Sequence, residues 1–179
     1  MKQSCHTISF MLGCIIMLGA STAHSAPVTL QQPTATFSQV ISGVFPIAEA
    51  IDGNVNQING WAIHPNETAQ TAVFETSTDL FTNGGSLTFT LKQFFATQHT
   101  IGRFRLSATT DNRSLFADGL ATGGDVVANW VILDPTSVSS ANGATLTELG
   151  DHSILASGTS PATDTYTVLA TTTLPCTRS

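Results

Sequence analysis

Short stretches of alternating apolar and polar residues dominate the chain after residue 70. In "SLTFTLKQF" (residues 86–94) leucine and phenylalanine alternate with threonine and lysine, and "GRFRLSAT" (residues 102–109) continues the pattern. A period of two places the two sets on opposite faces, so both segments are predicted strands with one buried face. "QTAVFET" (residues 70–76) is more continuously apolar, which indicates a strand buried on both faces.

The second half of the chain also contains short segments in which apolar and polar residues alternate. No segment after residue 25 has a 3.6-residue period over ten positions, and we expect at most one helical turn, near residues 46–50. The predicted fold is therefore all-β, a jelly-roll-like antiparallel β-sandwich. The further predicted strands are "VVANWVILDP" (126–135, ending at its proline), "ATLTEL" (144–149), "HSILASG" (152–158) and "DTYTVLATTT" (164–173).

The first 25 residues have the pattern of a secretory signal peptide. A single basic residue, Lys2, precedes the apolar run "ISFMLGCIIMLGA" (residues 8–20), and the small-residue stretch "STAHSAP" follows it. The run is shorter than the roughly 20 apolar residues that a membrane span needs. Cleavage after Ser25 or after Ala23 would fit the small residues, and we favour Ser25. We therefore expect a secreted or periplasmic protein with no integral membrane segment after cleavage.

The charge and the cysteine content restrict which partners and which stabilising bonds the protein can have. Charged residues make up 10% of the chain, and the formal net charge is −6. Loss of Lys2 with the signal peptide leaves five basic residues against twelve acidic ones, which argues against nucleic acid as a partner. Cys176 is then the remaining cysteine, so a hydrophobic core rather than an intramolecular disulfide must hold the fold.

Residues 35–111 resemble a known bacterial segment. The similarity lies in the segments "FPIAEAIDGN", "GWAIHP", "GGSLTFTLKQFF" and "HTIGRFRLSATTD". This region is similar to a galactose-binding-like, discoidin-type β-sandwich segment of large exported bacterial proteins. Those proteins often also carry a cytochrome-c-like domain and domains of unknown function. No C-x-x-C-H occurs here, so no haem chemistry is carried over. The resemblance implies a sandwich segment at 28–111 and a second, truncated β module at 126–173.

The stretch "DGNVN" offers oxygen atoms of the kind that Ca²⁺ prefers. Asp52, Asn54 and Asn56 could supply a carboxylate and two amide oxygens. The resemblance implies a structural Ca²⁺ near this Asp-Gly loop, since discoidin-like sandwiches often hold one there. The alternative is an aspartate that accepts hydrogen bonds from its own turn, beside Gly53 with a positive φ.

Four residues are candidates for ligand binding: Trp61, His64, Arg103 and Arg105. Trp61 could stack on a sugar ring, or it could fill the core with its indole N–H bonded to a loop carbonyl. The two arginines lie on a predicted polar strand face, where they could donate to sugar hydroxyls or form a solvated surface. His64, His99 and His152 have no metal-ligand spacing and are expected at the surface.

No catalytic residue is predicted, since no G-x-S-x-G elbow or other strong catalytic motif occurs. We expect an exported, non-catalytic β-sandwich module with a binding role, with carbohydrate as the ligand class. The alternative is a structural or protein-interaction domain, a remnant of a larger multidomain protein, that pairs with another extracytoplasmic protein.

Overall fold

The protein is built almost entirely of β-strands. The computed structural model describes residues 7–11 (backbone), 27–66, 68–78, 80, 85–95, 98–112, 115–120 and 125–172. Within these ranges one 3₁₀ helix, Ile47–Ala50, forms at the predicted helical turn, and no helix is long and apolar enough to cross a membrane. The strands are β1 Thr7–Met11, β2 Leu30–Ala35, β3 Thr71–Thr76, β4 Gly85–Gln93, β5 Arg103–Phe104, β6 Leu106–Thr109, β7 Val131–Ile132, β8 Asp134–Ser140, β9 Ala144–Glu148, β10 Ile154–Gly158 and β11 Asp164–Thr172.

The strands form three antiparallel sheets, which confirms the all-β, sandwich-like fold. Their orders are β2-β3-β1-β6-β7, β5-β10-β9 and β4-β11-β8. Each sheet contains strands from both predicted segments, and β4 pairs with β11 along its whole length. Residues 28–111 and 126–172 therefore share sheets and contribute to one core.

The core contains side chains from all three sheets. Phe74 comes from the five-stranded sheet, Phe104 from the β5-β10-β9 sheet and Tyr166 from the β4-β11-β8 sheet, and all three are fully buried. The rings of Phe104 and Tyr166 stack at 6.1 Å between centroids. Most of the largest fully buried side chains are aromatic, and each removes much apolar area from water.

The strands with the clearest patterns behave as predicted. In β4 the alternate residues Leu87, Phe89 and Leu91 are buried, and β3 is buried along nearly its whole length on both faces. The outer face of β3 presents Val73 to a second, smaller apolar cluster, which includes Phe116. Period-two alternation therefore identified both strands and the number of faces that each one buries.

The segment "GRFRLSAT" is not the single half-buried strand that its alternation predicts. The chain changes sheet at Arg105: β5 pairs with β10, whereas β6 joins the five-stranded sheet. Both faces of β6 are buried, including Ser107 and Thr109, which the pattern placed in solvent. Only the two arginines of the predicted polar face keep substantial exposure.

Two strands contain prolines, and sequence reasoning treated one of these, Pro135, as a strand end. β8 begins before Pro135 and continues through it, while β7 covers only two residues of the predicted 126–135 strand. Pro135 is tolerated because β8 is a sheet edge and its register with β11 shifts at this position. Pro33 lies beside a similar irregularity in the edge strand β2, which was not predicted. The predicted break at Pro175 lies outside the described residues.

Candidate functional site

The loop of residues 51–60, here called the Asp52 loop, is held by its own amide and carboxylate side chains. Asp52 Oδ1 accepts a hydrogen bond from the Asn54 backbone N–H at 2.8 Å, and Asn54 Oδ1 accepts one from the Asn56 N–H at 3.2 Å. Gly53 has φ +82°, the left-handed conformation that glycine tolerates best. This geometry matches the alternative in which Asp52 shapes its own turn.

Asn59 closes the loop from the opposite side. Its Nδ2 donates to both carboxylate oxygens of Asp52 at 3.2 Å and to the Asn54 carbonyl at 3.0 Å. A calcium ion at Asp52, Asn54 and Asn56 would compete with Asn59 for the same carboxylate. Hydrogen bonds thus account for the conformation of the loop without an ion.

The loop ends on a buried tryptophan. Trp61 is fully buried, and its indole Nε1–H donates to the Phe37 carbonyl at 2.9 Å. The preceding Gly60 N–H donates to the Glu49 carboxylate at 3.0 Å, which ties the loop end to the 3₁₀ helix. Trp61 therefore offers no ring face on which a sugar could stack; it anchors the Asp52 loop to the core.

Five charged residues and one histidine converge on a different surface. Arg103 belongs to β5, Arg105 follows it, Asp134 begins β8 and Glu148 ends β9, while Asp151 and His152 form the β9–β10 turn. In a chain with 10% charged residues, this is a marked concentration. The charged cluster, as we name it, consists of Arg103, Arg105, Asp134, Glu148, Asp151 and His152.

Asp151 is the centre of one half of the charged cluster. Its Oδ2 lies 2.8 Å from Arg103 Nη2 and 3.8 Å from Arg105 Nη1, and its Oδ1 accepts the Ser153 hydroxyl at 2.6 Å. The hydrogen bonds from the Ser153 hydroxyl and N–H, aided by the Arg103 charge, lower the pKa of Asp151 to about 2. The carboxylate is therefore ionised at neutral pH, accepts a hydrogen bond from Arg103 and lies within ion-pair distance of Arg105.

His152 is the centre of the other half. The turn places it at φ +58°, a left-handed conformation that residues other than glycine seldom adopt. Its Nδ1 lies 2.7 Å from Glu148 Oε1 and 3.7 Å from Asp134 Oδ1. One ligand atom from each of the three residues falls within 4.8 Å of the others, a partial set for a metal that accepts nitrogen and oxygen.

Two of the four predicted ligand-binding residues lie close together in the structure. Arg103 and Arg105 share the Asp151 carboxylate, whereas Trp61 lies in the core and His64 is exposed at a cis peptide bond with Pro65. Sequence reasoning did not select Asp134, Glu148 or Asp151. The "GDHS" turn carries a signal for Asp151, since an aspartate two residues before a serine commonly caps a turn.

Comparison with known proteins does not assign the site. No protein-family model matches the chain, and neither a characterised protein nor a solved structure shows significant similarity to it. The resemblance to discoidin-type sandwiches stays a sequence-based expectation. The assignment of a function to the site therefore depends on its own geometry.

Proposed function

We propose that the protein is an exported, non-catalytic β-sandwich module that binds carbohydrate through the charged cluster. The observation that supports the proposal most directly is the arrangement around Asp151. Two arginine side chains from the β5–β6 junction share one carboxylate at an exposed position. The turn that carries Asp151 connects β9 and β10, which pair with each other and, through β10, with the β5 strand of Arg103; a strand frame that presents loop residues is a common arrangement for a binding site.

The cluster has the donors and acceptors that sugar hydroxyls require. A guanidinium group presents several N–H donors in one plane, and a neighbouring carboxylate provides acceptors, so adjacent hydroxyls can be bound in pairs. Arg103 Nη2 and Asp151 Oδ2 form such a donor–acceptor pair at 2.8 Å. The net charge of −6 makes neutral glycans a better match than strongly anionic ones.

Export is supported by the N-terminal sequence. The apolar run after Lys2 and the small residues before Pro27 fit a cleavable signal peptide. An exported location would bring the charged cluster into contact with cell-wall or environmental polysaccharides.

Affinity electrophoresis and a glycan array test the carbohydrate assignment. The exported product is run through gels that contain neutral plant or algal polysaccharides, and we expect retarded migration in at least one of them. The same polysaccharides are then assayed for hydrolysis, which should be absent. Unchanged migration on every polysaccharide and no array signal would overturn the carbohydrate assignment.

A second candidate function, a protein-interaction domain, is favoured by exposed aliphatic side chains in two loops. Val40, Ile41 and Val44 lie between the bridged residues Gln39 and Phe45. Ile58, in the Asp52 loop, is 79% exposed. Exposed apolar patches on soluble proteins commonly mark contacts with other proteins. Size-exclusion chromatography with light scattering, with the Ile41→Ser and Ile58→Ser double variant as comparison, would reveal an association that depends on these side chains.

A further inference from the structure

Strand β1 occupies an unusual place, because it is the central strand of the five-stranded sheet yet lies in the predicted signal peptide. It pairs antiparallel with β3, from Thr7 opposite Glu75 to Met11 opposite Thr71. On its other side it pairs antiparallel with β6, from Thr7 opposite Thr109 to Phe10 opposite Leu106. Removal of residues 1–25 would therefore remove the middle of a sheet and not one of its edges.

The two strands that flank β1 are held from their far sides. β3 pairs with β2 on its other side, and β6 pairs with β7. β6 also follows β5 in the chain, and β5 pairs with β10, where Phe104 lies opposite Ile154. Neighbouring strands lie about 4.8 Å apart, so the flanking strands of a vacated position are separated by about 10 Å. Direct pairing of β3 with β6 would require a shift of about 5 Å in buried strands, which close packing resists.

The residues on either side define what fits between β3 and β6. On the core side the neighbours are Ala72 and Phe74 in β3 and Leu106 and Ala108 in β6. The register places Ile8 and Phe10 opposite these four positions. An occupant must therefore carry large apolar residues at two alternate positions, with small uncharged residues between them.

We infer that the space between β3 and β6 is a strand-acceptor site. Thr7–Met11 fills it in the precursor, and after removal of the leader it takes an extended segment of another exported polypeptide with apolar residues at alternate positions. The incoming strand runs antiparallel to both β3 and β6, as β1 does. All ten other described strands already belong to a sheet, which favours an occupant from outside the chain. This inference rests on the export part of the proposed function and not on carbohydrate binding.

The backbone supplies affinity in such a site, and the side chains supply selectivity. An added strand forms ladder hydrogen bonds with both neighbours, whereas addition at a sheet edge uses only one. Burial of two apolar side chains against the core positions then distinguishes an alternating apolar segment from a polar one.

The test uses the exported product of a gene that encodes residues 1–179, together with a synthetic peptide. The mass of the product shows where its N-terminus lies. A labelled TISFM peptide, flanked by lysines for solubility, is titrated into it, and a peptide with the equivalents of Ile8→Asp and Phe10→Asp is the matched control. Because only the peptide is changed, a failure of the protein to fold cannot explain a difference.

We expect a product that begins after residue 25, binding of the TISFM peptide and at least tenfold weaker binding of the control. Hydrogen exchange of β3 and β6 amides should slow about tenfold with the peptide and should not change with the control. The Arg103→Gln variant should bind the peptide normally, so peptide binding and glycan binding can fail independently.

Four results would overturn the inference. The first is an exported product that retains residues 7–11. The second is strong protection of β3 and β6 amides without peptide, which would show direct closure. The third is equal binding of both peptides. The fourth is a stable dimer of the product by light scattering, which would assign the site to a second copy of this chain.

Discussion

The guanidinium of Arg103 donates to the carboxylate of Asp151 at 2.8 Å across 48 residues of sequence. The contact connects the first residue of β5 with the turn between β9 and β10. Arg103 Nε also donates to the Ser153 hydroxyl at 2.9 Å. The side chain is thus oriented by two partners on one turn, which supports its assignment to the candidate carbohydrate site.

Arg103→Gln should weaken glycan binding without loss of the fold. The substitution removes the charge and the planar set of donors from an exposed side chain, so we expect about a tenfold weaker interaction, equivalent to about 1.4 kcal/mol. Affinity electrophoresis measures the change. Lys92→Gln, which removes a charge from β4, is the matched control and should bind as the original protein does. Equal losses in both variants would point to net charge instead of a specific site.

The pKa of Asp151 predicts a pH-dependent contribution to stability. Its pKa is lowered to about 2 in the folded protein from a usual value of 3.8. The ionised carboxylate therefore favours the folded state above about pH 4, and this contribution is lost as the pH falls from about 4 to about 2. Thermal unfolding of the original protein and Asp151→Asn should differ most above pH 4 and converge near pH 2.

Asp125→Asn is the control for the Asp151 prediction. Asp125 is exposed and accepts the Val127 N–H within its own turn, so the variant reports the effect of removing one negative charge. A difference between Asp151→Asn and the original protein that persists unchanged to pH 2 would contradict the proposed origin of the effect.

Trp61 should be one of the most sensitive positions for stability. Trp61→Ala removes a fully buried side chain and should lower the free energy of unfolding by about 3–5 kcal/mol. Trp61→Phe fills part of the space but leaves the Phe37 carbonyl without its donor, at a cost of about 1–3 kcal/mol. Urea unfolding followed by far-ultraviolet circular dichroism measures both. Trp130→Phe, at a half-buried position, should cost less; a larger cost there would contradict the ranking.

The Asp52 loop should hold its shape without calcium. Because Asn54 and Asn59 already donate to Asp52, we expect the same calorimetric melting temperature in Ca²⁺ and in EDTA. Asp52→Ala should lower the free energy of unfolding by about 1–2 kcal/mol in both conditions, since Asn59 and the Asn54 N–H both lose the Asp52 carboxylate as an acceptor. A melting temperature that rises with Ca²⁺, and no longer does so in Asp52→Ala, would establish a calcium site.

A substitution at Asp164 should destabilise the whole protein. Asp164 is 1% exposed and accepts hydrogen bonds from Ser140 Oγ at 2.6 Å and from the Asn142 N–H at 3.0 Å. Asp164→Ala leaves these part-buried donors without their acceptor, so we expect a loss of about 1–3 kcal/mol.

The Asp164 measurement also tests whether the two halves unfold together. Urea unfolding in a Trp130→Phe background is followed by the fluorescence of Trp61, the other of the two tryptophans. Because β4 pairs with β11, the single transition reported by Trp61 should move to lower urea. Asp125→Ala is the control. A Trp61 transition that did not move would show that the C-terminal strands unfold independently.

The sequence-based prediction was correct for strands whose burial follows from the pattern of their own residues. β3 and β4 show the expected burial because side chains two residues apart share a face of any extended strand. The prediction was wrong where the position of a strand within its sheet determines whether the strand continues. A proline would interrupt a central strand, but Pro135 is tolerated because β8 is an edge strand. The order of strands in a sheet cannot be deduced from one strand alone.

The candidate site shows the same distinction. Arg103 and Arg105 were selected because they lie two residues apart on a polar strand face. Asp151 was missed because its contact with them depends on β5 pairing with β10, a relationship that no local pattern specifies. For Trp61 the sequence left a sugar-stacking role and a core role open, and its full burial with the indole N–H bonded to the Phe37 carbonyl assigns it to the core.

Periodicity and composition within short segments are sufficient to predict the all-β class, most strand positions and the apolar faces of the clearest strands. Three features depend instead on the fold of the whole chain: residues 28–111 and 126–172 share three sheets, Arg103 reaches Asp151, and β1 lies between β3 and β6. Those outcomes depend on pairing between strands distant in the chain. Such pairing is selected by the packing of the whole core and not by any one segment.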